Sequence, residues 1–193
     1  MAHIHDTTMS PTKLELLGPW LRKQRWYAGN GRPDLTKVGG FRLDDPEGEV
    51  GIEFMFVRDG TDGDGTTYHV PMTYRGAPLD SNDAALIGNG EHGVLGKRWI
   101  YDGAHDPVLM AQVVALLQGK AVPQHQSQSD TVDPTVQVVN AVSADAERAA
   151  IADRTRVLRV LGVDVPLDGA TCVIAGWRTA TGADERGPVI TLD

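Results

Sequence analysis

The side chains best suited to recognition lie close together near the start of the chain. They form an aromatic and basic cluster of Trp20, Arg22, Arg25, Trp26 and Tyr27. Trp, Tyr and Arg are enriched at binding hot spots, and an indole can also stack on a sugar ring. The structural alternative is that the tryptophans anchor a helix in the core while the arginine stems cover apolar surface. The residue types favour that alternative, and the cluster remains the candidate recognition surface.

An aspartate-rich stretch first suggests calcium. Asp59, Asp62 and Asp64 have part of the spacing of an EF-hand loop, but Gly63 occupies its fifth position and Val70 its twelfth. The twelfth position needs a ligating glutamate. A solvated hairpin tip is therefore the better interpretation.

Other chemical candidates are equally weak. The glycine-rich run at 88–93 is not followed by the strand-to-helix switch of a phosphate loop. The single cysteine, Cys172, lies among apolar residues and is expected to be a buried thiol. We expect no catalytic residue, no cofactor and no metal site.

Composition excludes several classes of partner. The 193 residues carry a formal net charge of −8, and their 18 basic residues are scattered. Binding to nucleic acid or to an anionic membrane needs clustered Lys and Arg, so neither is expected. The sequence has no apolar run long enough for a membrane helix and no signal-peptide pattern at its start. We expect a cytoplasmic protein.

The elements that must position the cluster begin with a helix. Ser10 is the expected N-cap, with Pro11 at the first helical position. The dipeptide Gly18-Pro19 is expected to interrupt that helix before the cluster.

Two strands are predicted next. Residues 50–57 and 67–74 alternate in side-chain character, and the turn-rich stretch 59–65 joins them as an antiparallel hairpin. Because Pro71 cannot donate to a ladder, the second strand is expected to lie at an edge or to be bulged near this residue. His69 is expected on the polar face of that strand. One buried face should carry most of Tyr68, Val70, Met72 and Tyr74.

Further strands are expected near 36–43 and 94–101, before a second helix. That helix should begin at Asp106-Pro107 and end at Gly119. The order of helix, antiparallel strands and helix predicts an α+β fold. Beyond it, residues 120–134 are predicted to be a polar linker.

Residues 135–193 are predicted to form a small β-rich unit that packs against the first half of the chain. Within it, the pattern at 143–161 fits either helix or strand.

Three segments resemble the N-terminal cap of maltokinase-type sugar kinases. They are GPWLRKQRWYAGNGR at 18–32, YHVPMTYR at 68–75 and WIYDGAHDP at 99–107. Their order and approximate spacing match the family over residues 10–119. The resemblance implies a cystatin-like curved antiparallel sheet packed on a helix, followed by a unit like the kinase intermediate sheet. It divides the chain into a cap at 1–119, a linker at 120–134 and a β-rich unit at 135–193.

Enzymes of that family phosphorylate maltose with ATP and feed α-glucan synthesis from trehalose in actinobacteria. Phosphoryl transfer needs phosphate-cradling donors, a lysine, a base and magnesium ligands. The sequence lacks the family's catalytic motifs and ends where the catalytic lobe is expected. If residues 157–161 correspond to the strand of the ATP-binding lysine, Arg159 replaces that lysine and is not equivalent to it. We therefore expect no phosphorylation of maltose by this chain alone.

The leading hypothesis is a non-catalytic, cap-like protein that binds a partner in trehalose, maltose or glycogen metabolism. That partner would be a sugar-metabolic enzyme or a kinase lobe. The second hypothesis is a degenerate or split sugar kinase that another chain completes. The third is a small-ligand carrier with a pocket in its curved sheet.

Overall fold

The described residues form runs of antiparallel strands separated by α-helices. The structure, a computed structural model, describes residues 9–60, 65–80, 82–128, 130–163 and 169–193. The strands are β1 (Met9–Ser10), β2 (Leu35–Leu43), β3 (Gly51–Asp59), β4 (Thr66–Arg75), β5 (Leu86–His92), β6 (Gly96–Asp102), β7 (Gln124–His125), β8 (Gln137–Val139), β9 (Thr155–Val157), β10 (Thr171–Arg178) and β11 (Asp184–Leu192). The helices are α1 (Lys13–Leu21), α2 (Pro107–Leu117) and α3 (Arg148–Arg154).

The first helix begins later than predicted. Its N-cap is Thr12, whose hydroxyl accepts from the backbone N–H of Glu15 while the Glu15 carboxylate accepts from the Thr12 N–H. This reciprocal capping box satisfies two amides that the first turn would leave unpaired. Ser10 lies in β1 and pairs with Glu91, so the prediction that it caps the helix was wrong.

The predicted interruption at Gly18-Pro19 was also wrong, because α1 continues through Pro19 to Leu21. A proline inside a helix removes one backbone hydrogen bond. Here Leu17 and Leu21 are fully buried on either side of it, and that burial holds the last turn in place.

The second helix follows its sequence signals. The Asp106 side chain accepts from the Val108 N–H, Pro107 occupies the first turn, and the backbone turns at Gly119 with φ +69°. A positive φ at that position favours glycine, which has no Cβ to clash. The predicted start and end are confirmed.

The strands form one antiparallel sheet in the order β1-β5-β6-β4-β3-β2-β10-β11-β9. The predicted hairpin is present as β3 and β4, which pair along their length from Gly51–Tyr74 to Asp59–Thr66. The α+β class with a large antiparallel sheet is confirmed. Residues 61–64, and with them the predicted hairpin tip at Asp62 and Asp64, lie outside the described residues.

Part of the sheet closes into a ring, because the segment that follows β9, at one end of the strand order, bonds to β4 in its middle. Strand β2 meets β10 at Gly39 and Trp177, where a Cβ on Gly39 would lie 3.0 Å from the Gly176 carbonyl oxygen. At the other end, Tyr68 of β4 bridges Val160, which lies just beyond β9. The ring therefore runs through β4, β3, β2, β10, β11 and the segment 155–161, which leads back to β4.

The outer edge of β4 has two different partners. Over 67–69 it bonds to the segment 158–161, with the His69 N–H donating to the Arg159 carbonyl. From Met72 onward it pairs with β6. Pro71 lies between these two stretches, where a missing N–H costs no ladder bond. The predicted edge character of this strand is thus local to Pro71.

Both faces of β3 and β4 are buried. One face packs on α1 and carries Tyr68, Val70 and Met72, as predicted, with Tyr74 half-buried at its end. The other face points into the ring and holds Phe54. The prediction that His69 is a surface residue was wrong, because its side chain is fully buried beneath the segment 158–161.

The second half of the chain lies against the first half through this ring. The undecided stretch at 143–161 contains α3 and then β9. Residues 120–134 carry β7, which pairs with Phe41 and Arg42 of β2. An antiparallel bond from the His125 N–H to the Thr131 carbonyl folds this segment into a hairpin.

Candidate functional site

The aromatic and basic cluster lies at the end of α1, beside the closing seam of the ring. Trp20 is 5% exposed and packs in the α1 core, while Trp26 and Tyr27 are half-buried. Arg22 and Arg25 are exposed. The structure therefore divides the five predicted residues into three packed aromatic rings and two accessible cations.

Trp26 is the central contact of the aromatic group. Its ring lies 5.8 Å from Trp20 and 5.9 Å from Tyr68, between ring centroids. The guanidinium carbon of Arg159 lies 5.2 Å from the Trp26 ring centroid. That distance is within reach of a cation–π contact, so Trp26 contacts a residue from the second half of the chain.

Tyr27 secures the turn that follows. Its hydroxyl donates to Asp59 at 2.5 Å, and burial together with this acceptor raises the pKa of Tyr27. Asp59 also accepts from the Asp34 N–H at 2.8 Å. A Cβ on Gly29 would lie 2.1 Å from the Tyr27 hydroxyl oxygen. Glycine is therefore required where the chain folds back over this ring.

Arg159 is also held by Asp102, at the end of β6. One guanidinium nitrogen, Nη2, donates to both carboxylate oxygens of Asp102, at 2.9 and 2.7 Å. The side chains of Arg159 and Asp102 are 14% and 4% exposed. Among the described residues the other nitrogen, Nη1, has no hydrogen-bond partner. The charge of Arg159 is thus neutralised inside the molecule.

His69 lies directly beneath this pair. Its Nδ1 is 3.1 Å from the Leu158 carbonyl oxygen and 3.2 Å from that of Val189. Because carbonyls only accept, Nδ1 must carry a proton, and in the neutral ring Nε2 then carries none. Nε2 is buried without a partner in the part of the chain that the structure describes. Burial and the nearby Arg159 charge lower the pKa of His69 to about 3, so the ring is neutral near pH 7.

A separate polar cluster, which the sequence did not reveal, surrounds a buried carboxylate. Glu53 accepts from Lys13 at 2.6 Å, from the Tyr74 hydroxyl at 2.5 Å and from Gln126 at 2.7 Å. Burial alone would raise the pKa of Glu53, but the charge of Lys13 and these hydrogen bonds lower it. The only sequence signal was a glutamate at an inward position of an apolar strand.

No group of three or more His, Cys, Asp or Glu side chains suited to a metal ion occurs within the described ranges. The thiol of Cys172 is buried, as expected, and burial raises its pKa. No helix in the described part of the chain is long and apolar enough to cross a membrane.

Comparison with protein families gives a match over part of the chain. No curated protein matches the chain. The model of the maltokinase N-terminal cap domain matches residues 20–106, a stretch that contains the aromatic cluster, Tyr68 and Asp102. This match confirms the resemblance to the maltokinase N-terminal cap domain that was predicted from the sequence.

Proposed function

We propose that this protein is a non-catalytic, cap-like protein that binds a maltokinase-type kinase or a related enzyme of trehalose, maltose or glycogen metabolism. The family match supports an association with maltokinase-type proteins. The cytoplasm is the proposed compartment. Fold alone does not specify function, so the proposal rests on what particular residues do.

The carrying observation is the position of Arg159. By the family resemblance, this residue would stand where the ATP-binding lysine is found. Its guanidinium is occupied by Asp102 and covered by Trp26. The ATP-binding lysine of a kinase is itself paired with a carboxylate, so the Asp102 pair alone does not argue against phosphate binding. The Trp26 ring, however, covers the guanidinium, and arginine is not equivalent to lysine at a phosphate site. This arrangement favours a binding role over phosphoryl transfer.

The accessible part of the aromatic and basic cluster supplies the proposed contact. Arg22 and Arg25 are exposed beside the half-buried edges of Trp26 and Tyr27. Arginines next to aromatic edges are typical of binding hot spots. Trp20 is buried, and we propose that its role is to support this surface rather than to touch the partner.

The proposed division of the chain into structural units is taken from the family. We propose that residues 1–119 are a cystatin-like cap and that residues 135–193 correspond to the kinase intermediate sheet, with 120–134 joining them. Direct bonding between β4 and 158–161 supports a tight association of the two units.

The test combines the purified full chain with a maltokinase-type kinase from which the cap has been removed. Binding is measured by isothermal titration calorimetry, and ATP-dependent phosphorylation of maltose is measured in the same mixtures. We expect a complex to form and the chain alone to give no phosphosugar above a heat-killed control. Absence of binding contradicts the proposal.

The same assay distinguishes the non-catalytic binding role from the hypothesis of a degenerate or split kinase. If the chain alone forms phosphosugar, and Arg159→Ala abolishes that activity, the chain is itself a kinase. If only the mixture is active and Arg159→Ala abolishes its turnover without weakening the complex, the chain completes a catalytic site.

Variants of the two exposed arginines test the surface. The double variant Arg22→Ala and Arg25→Ala should weaken binding at least about tenfold, as expected when hot-spot residues are truncated. The matched control is Arg32→Ala, another exposed arginine close in sequence, which should bind like the parent chain. Equal effects of the double variant and the control contradict this surface.

A further inference from the structure

The tripeptide Gly-Asn-Gly occurs twice in the chain, once in a loop and once in a strand. The first copy is 29–31, in the loop between the aromatic and basic cluster and β2, and it is followed by Arg32. The second copy is 88–90, within β5, and it is followed by Glu91. The same three residues are therefore present in two different structural and electrostatic settings.

An asparagine that precedes a glycine has a specific chemistry, and asparagine is among the thermolabile residues. The backbone nitrogen of the glycine attacks the side-chain carbonyl carbon of the asparagine, ammonia leaves, and a succinimide forms. Water then opens the succinimide to aspartate or isoaspartate. Glycine favours the attack because it has no Cβ to restrict the backbone. The reaction consumes water and releases ammonia, and it needs no enzyme, oxidant or reductant.

The loop that carries the first copy is held at both ends. The Ala28 N–H donates to the Tyr68 hydroxyl at 3.1 Å. The Asp34 N–H donates to an oxygen of Asp59 at 2.8 Å. Residues 30–32 lie exposed between these two attachments. The centre of the loop is thus open to water while the rest of the fold stays intact.

Asn30 and Gly31 are not held by the protein. Neither the Asn30 side chain nor the Gly31 N–H forms a hydrogen bond with a described residue. A Cβ on Gly31 would have no neighbour within 4 Å, so the space beside this backbone is open. By contrast, the side-chain amides of Asn82 and Asn140 donate to backbone carbonyls. Those bonds restrain two of the other three asparagines of the chain.

The sheet restrains the second copy. Asn89 pairs with Trp99 of β6, and Gly90 pairs with Arg98. A Cβ on Gly90 would lie 3.1 Å from Cγ of Met9, so a neighbouring segment also covers this glycine. A strand must open locally before its backbone can take a new conformation, and that opening costs free energy which an exposed loop does not require.

The residue after each copy adds an electrostatic difference in the same direction. The attacking nitrogen has lost its proton and carries negative charge. Arg32 favours that anion and Glu91 disfavours it, because opposite charges stabilise an ionised group and like charges destabilise it. Both side chains are exposed, so water weakens this contribution. The restraint of β5 is the larger of the two differences.

We propose that Asn30 is a site of spontaneous deamidation in the folded protein and that β5 protects Asn89 from the same reaction. The Gly31 nitrogen bonds to Cγ of Asn30, the Cγ–Nδ2 bond breaks, and ammonia leaves. One water then opens the succinimide to aspartate or isoaspartate. The new carboxyl group is ionised near pH 7, since its ordinary pKa is about 3.9. A chain whose formal net charge is −8 thus gains one more negative charge.

The new carboxylate lies in the loop that follows the aromatic and basic cluster. Isoaspartate also adds one methylene carbon to the backbone, and the open centre of the loop absorbs it between the attachments at Ala28 and Asp34. The reaction needs only water and two neighbouring residues. It is therefore independent of the partner binding proposed above.

The test incubates the folded full chain under mildly alkaline conditions and follows it by ion-exchange chromatography and peptide mass spectrometry. We expect a more acidic species that grows with time, with aspartate and isoaspartate at position 30. Conversion at Asn30 should be at least about tenfold faster than at Asn89, which corresponds to about 1.4 kcal/mol of opening free energy in β5. The rate should rise with pH, because the nucleophile is the deprotonated amide.

Matched variants locate the reaction. Asn30→Gln keeps an exposed carboxamide but would have to close a ring that is one atom larger, so the acidic species should largely disappear. Asn89→Gln makes the same change in β5 and should leave the parent rate unchanged. Asn30→Asp supplies the chromatographic standard for the aspartate product.

The unfolded chain in urea is the reference for the reactivity of the sequence alone. There the two copies should convert at more similar rates, because β5 no longer restrains Asn89. The same ratio of rates in urea and in the folded chain contradicts the protection by β5.

Three further results overturn the deamidation site. The first is a folded chain that forms no acidic species while the unfolded chain converts at Asn30. The second is an acidic species that Asn30→Gln leaves unchanged. The third is equal conversion at Asn30 and Asn89 in the folded chain. The outcome of the kinase-binding assay affects none of them, so the two proposals fail independently.

Discussion

Two arginine–carboxylate pairs use aspartates that are four residues apart in the sequence, Asp102 and Asp106, where β6 leads into α2. The two pairs connect different parts of the molecule. Arg75 and Asp106 join two elements of the cap. Arg159 and Asp102 join the cap to the segment that closes the ring. Both pairs are largely buried, so their difference lies in how completely each polar group is satisfied.

The Arg75–Asp106 pair is well satisfied. Nε and Nη2 of Arg75 each donate to a separate Asp106 oxygen at 2.7 Å. Asp106 also accepts from the Thr73 hydroxyl at 2.7 Å and from the Val108 N–H at 2.9 Å. Burial alone would raise the pKa of Asp106, but these donors outweigh it and lower the pKa. The helix cap predicted from the sequence is thus also the centre of a polar network.

The Arg159–Asp102 pair is less complete. Both bonds come from the single nitrogen Nη2, and among the described residues Nη1 has no partner. A buried donor without an acceptor costs free energy, which reduces the contribution of this pair to stability. The comparison shows that Arg75–Asp106 stabilises the cap with complete hydrogen bonding. The ring is closed by Arg159–Asp102, a less complete pair that also depends on the contact with Trp26.

Removing the second half of the chain should have the largest effect. A chain ending at Gly119 keeps Arg75–Asp106 but loses Arg159 and the strands that cover Phe54 and Phe56. We expect it to aggregate or to lose its cooperative thermal transition, because a bared apolar sheet face associates. Thermal melting and size-exclusion chromatography beside the full chain measure this. An unchanged melting temperature, with fast amide exchange over 135–193 in the full chain, contradicts it.

Asp106→Ala should be the most damaging single substitution. It removes a helix cap and leaves Arg75 buried without its partner, so we expect a loss of about 3–5 kcal/mol in the free energy of unfolding. Urea unfolding measures the loss. The control is Asp184→Ala, whose partner Arg178 is 74% exposed, and this change should cost less than about 0.5 kcal/mol. Similar losses for both variants would remove the distinction.

Arg159→Ala should cost less, about 1–3 kcal/mol, because one guanidinium nitrogen is already unpaired. Arg159→Lys should recover only part of that loss, since an ammonium cannot copy the planar contact with both Asp102 and Trp26. Urea unfolding followed by the summed emission of the four tryptophans measures the stability of each variant. A full rescue by lysine would show that charge alone matters at this position.

Protonation of His69 should have the smallest effect on the free energy of unfolding, and this effect depends on pH. Its folded pKa of about 3 lies below the ordinary value of 6.5, so between these values the unfolded chain binds a proton that the folded chain does not. The free energy of unfolding should therefore fall as pH drops below 6.5, by at most about 1.4 kcal/mol per unit, and should be independent of this residue above it.

The measurement is urea unfolding at pH 7.5, 6.5 and 5.5. His69→Gln should be less stable than the parent at pH 7.5 and should show a shallower decline toward pH 5.5. His105→Gln, at a side chain that is 61% exposed, should keep the parent slope. A parent slope that is unchanged by His69→Gln rules out this residue as the cause.

Local signals allowed much of the fold to be predicted. Asp106-Pro107 and Gly119 fixed the limits of α2, and alternation identified β3 and β4. His69 was predicted to be exposed because the alternation in β4 indicates one buried face and one solvent face. In the structure, the face that was predicted to be exposed is covered by residues about 90 positions later in the chain. Pairing across such separations leaves no trace in local periodicity.

The candidate site was predicted only in part for the same reason. The residue types marked the aromatic cluster, but its contact with Arg159 depends on ring closure.

Ring closure also sets the order in which the chain can fold. During synthesis β3 and β4 emerge early, yet the outer edge of β4 at 67–69 finds its partner only when residues 158–161 have left the ribosome. At about 5–20 residues per second, that edge stays unpaired for several seconds. A nascent chain therefore exposes an open strand edge beside Trp26 for that interval, which is a natural point for a chaperone to bind.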